Sequence, residues 1–511
     1  MISLTSFAGR SIAVFGLGGS GKVTAHALSE GGAQVSAWDD NPTARAGAQS
    51  EGIEISDLGA ADWSRFDALV LSPGVPLTHP KPHWTVEKAR AQDCEIIGDI
   101  ELFCRQRKLL CPDAPFVAIT GTNGKSTTTA LVSHLLGHLG CDVQMGGNIG
   151  QAILSLEPPS SRKVHVIEIS SYQIDLAPSL NPTVGVLLNL SPDHLDRHGT
   201  MEHYAHVKEL LISGSDMKVV GLDDRWTREI AQRLGQDAKT YPFTVGKGAG
   251  LVPRLYALGE ALFLHKGTGA VSSSSQIVNL EGIESLRGKH NVQNALAALG
   301  VIKALHDRQE TNSVSRLPPD VDRSKGTIGN GLLWDPPRLQ EGLTRFPGLK
   351  HRLELVGQAS GVSFVNDSKA TNVNSAMSAL GAWRKGVFWI AGGLAKEGSI
   401  EALIPYFDCV EKAYLIGEAT HEFAKTLEGR VRYEKSGTLE QALAQAFEDA
   451  RVYNDVQQSK GHGKDNRQAP VVLLSPACAS FDQFNNFEAR GEAFKKLVSR
   501  LPQVRMRGGV S

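Results

Sequence analysis

At 511 residues the chain is too long for one ordinary hydrophobic core, and its length predicts about three domains. Charged residues make up 21%, apolar residues 41%, and the formal net charge is −1, so no global field steers it onto nucleic acid or an anionic membrane. Six cysteines (Cys94, Cys104, Cys111, Cys141, Cys409 and Cys478) form no C-x-x-C pair, which argues against a disulfide framework and a zinc site and for reduced, mostly buried thiols.

The opening MISLTSFAGR has no basic stretch followed by an apolar core, and no apolar run approaches about 18 residues. A soluble, cytoplasmic protein with no membrane insertion is expected. Ser11 to Phe15 reads as a short strand, followed by Gly16, Gly18 and Gly21 in a G-x-G-x-x-G arrangement and a helix from Lys22 to Ser29. A second strand, Gln34 to Trp38, ends at Asp39 and Asp40, where a dinucleotide-binding fold places its ribose-binding acid. NAD, another nucleotide, or plain packing of helix against strand all satisfy this pattern. Ala68 to Leu71 is a strand ending in Ser72-Pro73-Gly74-Val75-Pro76, a rigid turn at the carboxyl edge of a sheet, where open α/β folds bind ligands. The first domain is expected to end near Cys104.

Val117 to Thr129 reads VAITGTNGKSTTT. An apolar strand, Phe116 to Ile119, a Gly-rich turn and a helix-compatible segment from Ala130 to Leu139 give the order of a phosphate-binding loop. Gly121 and Gly124 let backbone N–H groups turn toward a phosphate, the helix N-terminus adds its dipole, Lys125 supplies a point charge and the Ser126 hydroxyl can hold Mg²⁺. The general pattern would place a glycine at Ile119, so this loop is a shortened G-x-x-G-K-S. Asn148, in the turn Gly146 to Gly150, is either a donor to ligand or a turn residue. Glu168 interrupts the β-branched strand Val164 to Ile169; an acid there, downstream of a phosphate loop, suits a metal-binding carboxylate. The strand Thr183 to Leu190 delivers Asn189 and then Asp193, His194, Asp196, Arg197 and His198, a cluster that suggests metal or phosphate contact or a solvated loop. By position alone Lys208, in the amphipathic stretch Met201 to Ile212, is a solvated helix lysine. Val219 to Asp224 and the stretch Ala257 to Gln276 read as sheet edge and hairpins, with Ser272 to Ser275 in a loop. Asn291 and Asn294 share a helix face that runs to Leu305 and can present amides to a base or ribose. Asp307 to about Leu343 is polar, Pro- and Gly-rich and without period, which predicts a partly flexible connector.

A third domain begins near Leu349. The strands Val362 to Val365, Val387 to Ala391, Ala413 to Ile416 and Val471 to Leu474 each end in polar or glycine loops, which predicts a second Rossmann-like sheet with a site at its carboxyl edge. Lys369, Lys396, Thr371 and Ser480 there suit an acidic substrate. Gln457 to Gln468 reads as an exposed loop insertion.

Taken together these residues resemble the Mur ligase family, ATP-dependent amide-forming enzymes that build the peptide of the bacterial cell-wall precursor. GTNGKST is similar to that family's phosphate loop, as it is to that of the folylpolyglutamate synthetases. GDIELFC (Gly98 to Cys104), NDSKATN (Asn366 to Asn372) and SPACASFDQFNNFEARG (Ser475 to Gly491) resemble the members that add D-glutamate. The likeness covers nearly the whole chain, the connector after Asp307, the loop from Gln457 and the tail after Leu501 excepted.

The resemblance implies an α/β protein of three domains: a Rossmann-like domain (1–104) for the UDP part of the substrate, a central ATPase-type domain with the phosphate loop (105–345), and a Rossmann-like domain (346–511) for D-glutamate that closes on ATP. Its small-molecule partners would be UDP-N-acetylmuramoyl-L-alanine, D-glutamate and ATP, and a monomer is expected. Gly18, Gly19, Ser20, Asp39, Asp40, Asn41, Ser72 and Gly74 would hold the UDP-substrate, with Asn41 standing where the family often has an arginine. Asn148 and His194 would approach the muramoyl-alanine. Gly121, Thr122, Asn123, Gly124, Lys125, Ser126 and Thr127 would bind ATP phosphates, and Asn291, Asn294, Arg352 and Asp367 the rest of the nucleotide. Ser126 and Glu168 would hold one Mg²⁺, and His194 with a carbamylated Lys208 a second. Lys125, His194 and Lys208 would be catalytic, and Lys369, Thr371, Lys396, Ser480, Phe481 and Phe487 would form the D-glutamate pocket. An NAD-dependent oxidoreductase built on the Gly16 motif leaves Lys125 and Glu168 without a role, and a non-catalytic nucleotide-binding module has no need of Lys125.

Overall fold

The β-branched and aliphatic runs of the sequence become strands, which the computed structural model arranges in three sheets. It describes residues 1–235, 237–246, 250–266, 273–316, 333–395, 399–459 and 469–507. The first sheet is wholly parallel, in the order β2-β1-β3-β4, from β1 (Ser11–Phe15), β2 (Gln34–Trp38), β3 (Ala68–Leu71) and β4 (Glu95–Ile97).

The second sheet comprises β5 (Phe116–Thr120), β6 (Asp142–Gly147), β7 (Lys163–Glu168), β8 (Val184–Leu187), β9 (Met217–Gly221), β10 (Thr240–Thr244), β11 (Leu255–Leu258), β12 (Ala261–Lys266) and β13 (Ser273–Asn279). Its order is β13-β12-β11-β10-β9-β8-β5-β7-β6. Two expectations fail here. β9 is interior, between β8 and β10, not at an edge. Ser273 to Ser275 are not loop: they pair with His265, Leu264 and their neighbours on the outermost strand, where one exposed side lets serine replace apolar residues.

The third sheet, ordered β18-β17-β16-β19-β15-β14-β20, is built from β14 (Glu354–Ala359), β15 (Val362–Asn366), β16 (Val387–Gly392), β17 (Val410–Ile416), β18 (Tyr433–Gly437), β19 (Val471–Leu474) and β20 (Arg505–Met506). It is parallel except where β14 meets β15 and β20.

The chain divides into two compact units, Met1–Glu281 with Val292–Arg345, and Gly282–Asn291 with Phe346–Ser511. In the first unit one buried cluster joins residues of both sheets. Ile2, Phe103, Phe116, Leu154 and Leu211 belong to a single buried cluster, and the Ile2 amide donates to the Leu154 carbonyl at 2.8 Å. Cys104 lies inside a helix, Asp99–Leu110, whose apolar side is part of that core.

The stretch expected as a partly flexible connector is helical at both ends. The helix begun at Lys289 runs to Arg316, and a second helix spans Pro336–Arg345. Two prolines read as a breaker, yet proline is favoured in a first helical turn, where its missing N–H is an orphan anyway. Leu339, Gly342 and Leu343 are buried on this helix, and a Cβ at Gly342 would stand 2.9 Å from Leu135. Residues 317–332 lie outside the described ones. Of the Gln457 to Gln468 stretch, 457–459 end the helix Leu439–Ser459 and 460–468 are not described.

All six cysteines are free. Burial pushes the thiols of Cys104, Cys141, Cys409 and Cys478 up to about 12, as expected for inert core residues.

Candidate active site

β5 lies between β7 and β8, with Ile119 opposite Glu168 on one side and Thr120 opposite Leu187 on the other. The loop leaving β5 is therefore flanked at the carboxyl edge of the sheet by the acid ending β7 and by Asn189 beyond β8. Open α/β sheets bind ligands at this edge.

Gly124 is left-handed (φ +83°) and is the N-cap of the helix Lys125–His138, to which it brings no side-chain cap. A Cβ there would fall 2.3 Å from Asn294 Oδ1, so only glycine fits the close approach. Backbone amides and the positive end of the helix dipole face the loop together, which is an anion cradle. Lys125 Nζ is folded over the cradle, donating to the carbonyls of Gly121 at 3.0 Å and Thr122 at 2.8 Å. Ser126 is buried beneath, and Thr127 is half-buried beside it.

Asn189 fastens the loop. Its Oδ1 accepts from the Asn123 amide at 2.9 Å and its Nδ2 donates to the Asn123 carbonyl at 3.1 Å, while its own carbonyl accepts from the Thr122 amide at 2.8 Å. The Thr122 hydroxyl lies 3.2 Å from the Tyr204 hydroxyl. Asn294 receives the Thr128 hydroxyl at 3.2 Å, and Asn291 donates to the Arg287 carbonyl at 2.9 Å.

Glu168 is 2% exposed. Its Oε1 accepts from Asn148 Nδ2 at 3.1 Å, and its Oε2 is buried without a hydrogen-bond partner among the described residues. A buried carboxylate oxygen left bare is costly. A hard divalent cation would satisfy it, and oxygen donors suit Mg²⁺. Asn148, read as donor to ligand or turn residue, orients this carboxylate.

Lys208 is 1% exposed, which overturns the solvated reading. Nζ donates to Thr120 Oγ1 at 2.9 Å and the Gly121 carbonyl at 3.1 Å, and stands 5.0 Å from the Tyr204 ring centre. Burial, and next the charge of Lys125, hold its pKa well below the usual lysine range. His194 is left-handed (φ +54°) and half-exposed, with Nε2 3.4 Å from the Asp193 carboxylate. Burial lowers its pKa against the opposing pull of Asp193.

In the first sheet, the Leu17 and Asn41 amides donate to the two Asp39 oxygens at 2.6 and 2.8 Å. The Asp40 carboxylate accepts from Trp84 Nε1 at 3.3 Å and lies 3.1 Å from His83 Nε2. Asn41 caps the helix Pro42–Ser50 by accepting from the Thr43 amide at 2.9 Å. One turn on, Arg45 returns to the same strand end, donating to the Asp39 carbonyl at 2.6 Å with its guanidinium 4.3 Å from the Trp38 ring centre. Gly18 caps the helix Gly19–Glu30, which includes Ser20. Ser72 Oγ donates to the Gly16 carbonyl at 2.8 Å, and Arg197 donates to the carbonyls of Gly74 and Val75, each at 2.9 Å.

In the second unit, Asp367 accepts from Ser475 Oγ at 2.9 Å and from the Leu353 amide at 3.2 Å, and burial raises its pKa to about 7. Arg352 is half-buried in the adjoining turn. The Lys369 ammonium sits 3.8 Å above the Phe487 ring, Ser480 is buried, Phe481 is 68% exposed, and the Thr371 amide donates to the Lys369 carbonyl at 2.7 Å. Lys396 lies outside the described residues. Arg490, absent from the expected site, is 1% exposed and joins the two loops. It donates to Ser368 Oγ at 3.0 Å, the Ser368 carbonyl at 2.9 Å and the Cys478 carbonyl at 3.1 Å. Its only sequence signal was its place at the end of SPACASFDQFNNFEARG. Asn189 was visible as the residue a strand delivers.

The sequence matches the family model described as Mur ligase middle domain over residues 119–302 and that described as Mur ligase, glutamate ligase domain over residues 351–463. The chain belongs to the Mur ligase family. A UDP-N-acetylmuramoylalanine--D-glutamate ligase of Mesorhizobium japonicum is 52% identical to this Mur ligase over 509 residues, covering 100% of each chain. One from Brucella abortus (strain 2308) is 50% identical over 511 residues, again with 100% of both covered. Among solved structures, the UDP-N-acetylmuramate-alanine ligase of Thermotoga maritima aligns with a TM-score of 0.51 at 17% identity, over 95% of this chain and 98% of that one. That likeness is one of fold.

Proposed function

We propose that this Mur ligase joins D-glutamate to the alanine carboxylate of UDP-N-acetylmuramoyl-L-alanine with ATP, a step of peptidoglycan precursor synthesis. Identity of 50–52% over whole chains with enzymes named for that reaction carries the choice of substrate. A carboxylate is a poor acyl donor, so a carboxylate oxygen attacks the γ-phosphorus, ADP leaves, and an acyl phosphate forms. The D-glutamate amine then attacks the acyl carbon, loses a proton, and inorganic phosphate departs with the former carboxylate oxygen.

Anion approaches anion in the first step, so Lys125 and the amides of the Gly121–Thr127 loop stabilise the spreading charge. Ser126 and Glu168 would hold Mg²⁺, which would supply further neutralisation there. A second ion is assigned to His194 with Lys208. A buried neutral amine adds CO₂ with loss of one proton, and the carbamate so formed would turn a donor into an anionic ligand.

We assign the UDP moiety to the Gly18–Ser20 turn, Asp39 to Asn41 and the Ser72–Gly74 turn within residues 1–104, and the nucleotide to residues 105–345 with Asn291, Asn294, Arg352 and Asp367. D-Glutamate is assigned to residues 346–511 through Lys369, Thr371, Lys396, Ser480, Phe481 and Phe487. The enzyme is proposed to act as a cytoplasmic monomer; among the described residues no helix is long and apolar enough to cross a membrane. Phosphate release from ATP should require both UDP-N-acetylmuramoyl-L-alanine and D-glutamate. Equal turnover with L-glutamate, or with a folate, would exclude the reading.

A further inference from the structure

The histidine-rich stretch after β8 serves two different places. His194 stands near the charges of Lys125 and Lys208, whereas His198, four residues on, meets Asp175 and His203. These three come from three short elements: the end of the helix Ser171–Asp175, the end of the helix Leu195–His198, and the first turn of the helix Met201–Ser213. One ligand atom from each lies within 4.8 Å of the others.

His198 is 2% exposed, and its Nδ1 is buried with no hydrogen-bond partner among the described residues. Its other nitrogen, Nε2, lies 2.9 Å from Ser171 Oγ, and Tyr172 stacks on the ring at 5.4 Å. A histidine held through one nitrogen by a neighbouring hydroxyl, with the other left bare inside the protein, is the arrangement of a metal ligand with its orienting partner. The usual alternative, a core histidine satisfied by its neighbours, does not account for the bare nitrogen.

We propose that Asp175, His198 and His203 form a binding site for a divalent transition ion of the Zn²⁺ class, separate from the Mg²⁺ ligands at Ser126 and Glu168. Two imidazoles and one carboxylate suit Zn²⁺, Ni²⁺ or Co²⁺ and do not suit Mg²⁺, which takes oxygen ligands. Bonds of about 2.1 Å in a tetrahedron put ligand atoms about 3.4 Å apart, so modest side-chain rotation of the half-buried Asp175 and His203 closes the cluster. Water takes the fourth position. The cysteine spacing argued against a zinc site; that argument weighed thiolates, and this cluster contains none. A bound ion would pin together the elements that follow Glu168 and lead to Lys208.

The test uses the full-length protein, stripped with chelator and held in excess Mg²⁺ to fill the oxygen sites. Zn²⁺ uptake is read by competition with a chromophoric chelator, and Co²⁺ by its visible absorption. One equivalent should bind in Mg²⁺ excess. His203→Gln and Asp175→Asn should each weaken uptake by at least about tenfold, while His194→Gln should leave it within about twofold. Two variants at partly exposed positions keep the test decisive should one fail to fold. No uptake in Mg²⁺, uptake unchanged in both His203→Gln and Asp175→Asn, or uptake lost only in His194→Gln would overturn the proposal.

Discussion

Replacing Lys208 with methionine keeps the length of a buried side chain and removes its nitrogen, so stability and turnover should part company. The amine donates to Thr120 Oγ1 and to the Gly121 carbonyl. The Gly121 carbonyl keeps Lys125 Nζ at 3.0 Å, which leaves the Thr120 hydroxyl as the group that loses a partner, a cost of about 0.5–1.5 kcal/mol. Against this, a buried amine whose pKa burial holds well below the usual range no longer has to be desolvated. The net change should lie within about 1 kcal/mol, or roughly 1–2 °C in Tm for a unit of this size. Turnover should fall by about 10²–10³-fold, the scale of losing one preorganised charge-stabilising group. Phosphate release and thermal unfolding are measured side by side, in buffer stripped of CO₂ and again with bicarbonate. The wild type should lose activity on stripping and regain it with bicarbonate, and the variant should respond to neither. Wild-type turnover in the variant, or indifference of the wild type to CO₂, would refute the carbamate. A fall in Tm above about 10 °C would mean that the lysine is structural.

Gly124→Ala forces a side chain into the left-handed region and against Asn294 Oδ1, 2.3 Å away. It should destabilise the protein by about 2–4 kcal/mol in denaturant titration and raise the KM for ATP. Glu168→Gln removes a buried charge with one bare oxygen; in Mg²⁺-free denaturant titration it should be neutral or stabilising by about 1–2 kcal/mol, while phosphate release collapses. Asp367, raised to about 7 by burial, binds a proton more readily folded than unfolded. Its contribution to stability is therefore full below about pH 4 and is lost as pH rises toward 7, by a few kcal/mol at most. Asp367→Asn should flatten that part of the stability–pH profile, measured by chemical denaturation between pH 4 and pH 8.

What could be read from the residues was whatever depends on local order. Strand, glycine turn, lysine and helix N-terminus are contiguous at 116–130, and Glu168 interrupts the β-branched strand Val164 to Ile169, so both were legible. The burial of Lys208 had a faint signal, since Tyr204, Lys208 and Leu211 follow helical spacing and all three are buried. A lysine on such a stripe reads as solvated until its acceptors, Thr120 and the Gly121 carbonyl, are brought in from 88 and 87 residues away. Arg490 was invisible for the same reason: Ser368 is 122 positions distant. Composition misled at Pro336, where two prolines start a helix, and at Ser273 to Ser275, where backbone pairing at a sheet edge outweighs the weak strand preference of serine.

The central claim, that the cradled phosphate is passed to a carboxylate, can be followed atom by atom. UDP-N-acetylmuramoyl-L-alanine carrying oxygen-18 in both oxygens of its alanine carboxylate is turned over with ATP and D-glutamate, and the inorganic phosphate is analysed by mass spectrometry. One labelled oxygen per released phosphate, with the other kept in the new amide, is the result predicted here. Phosphate released without label, alongside product formation, would contradict it.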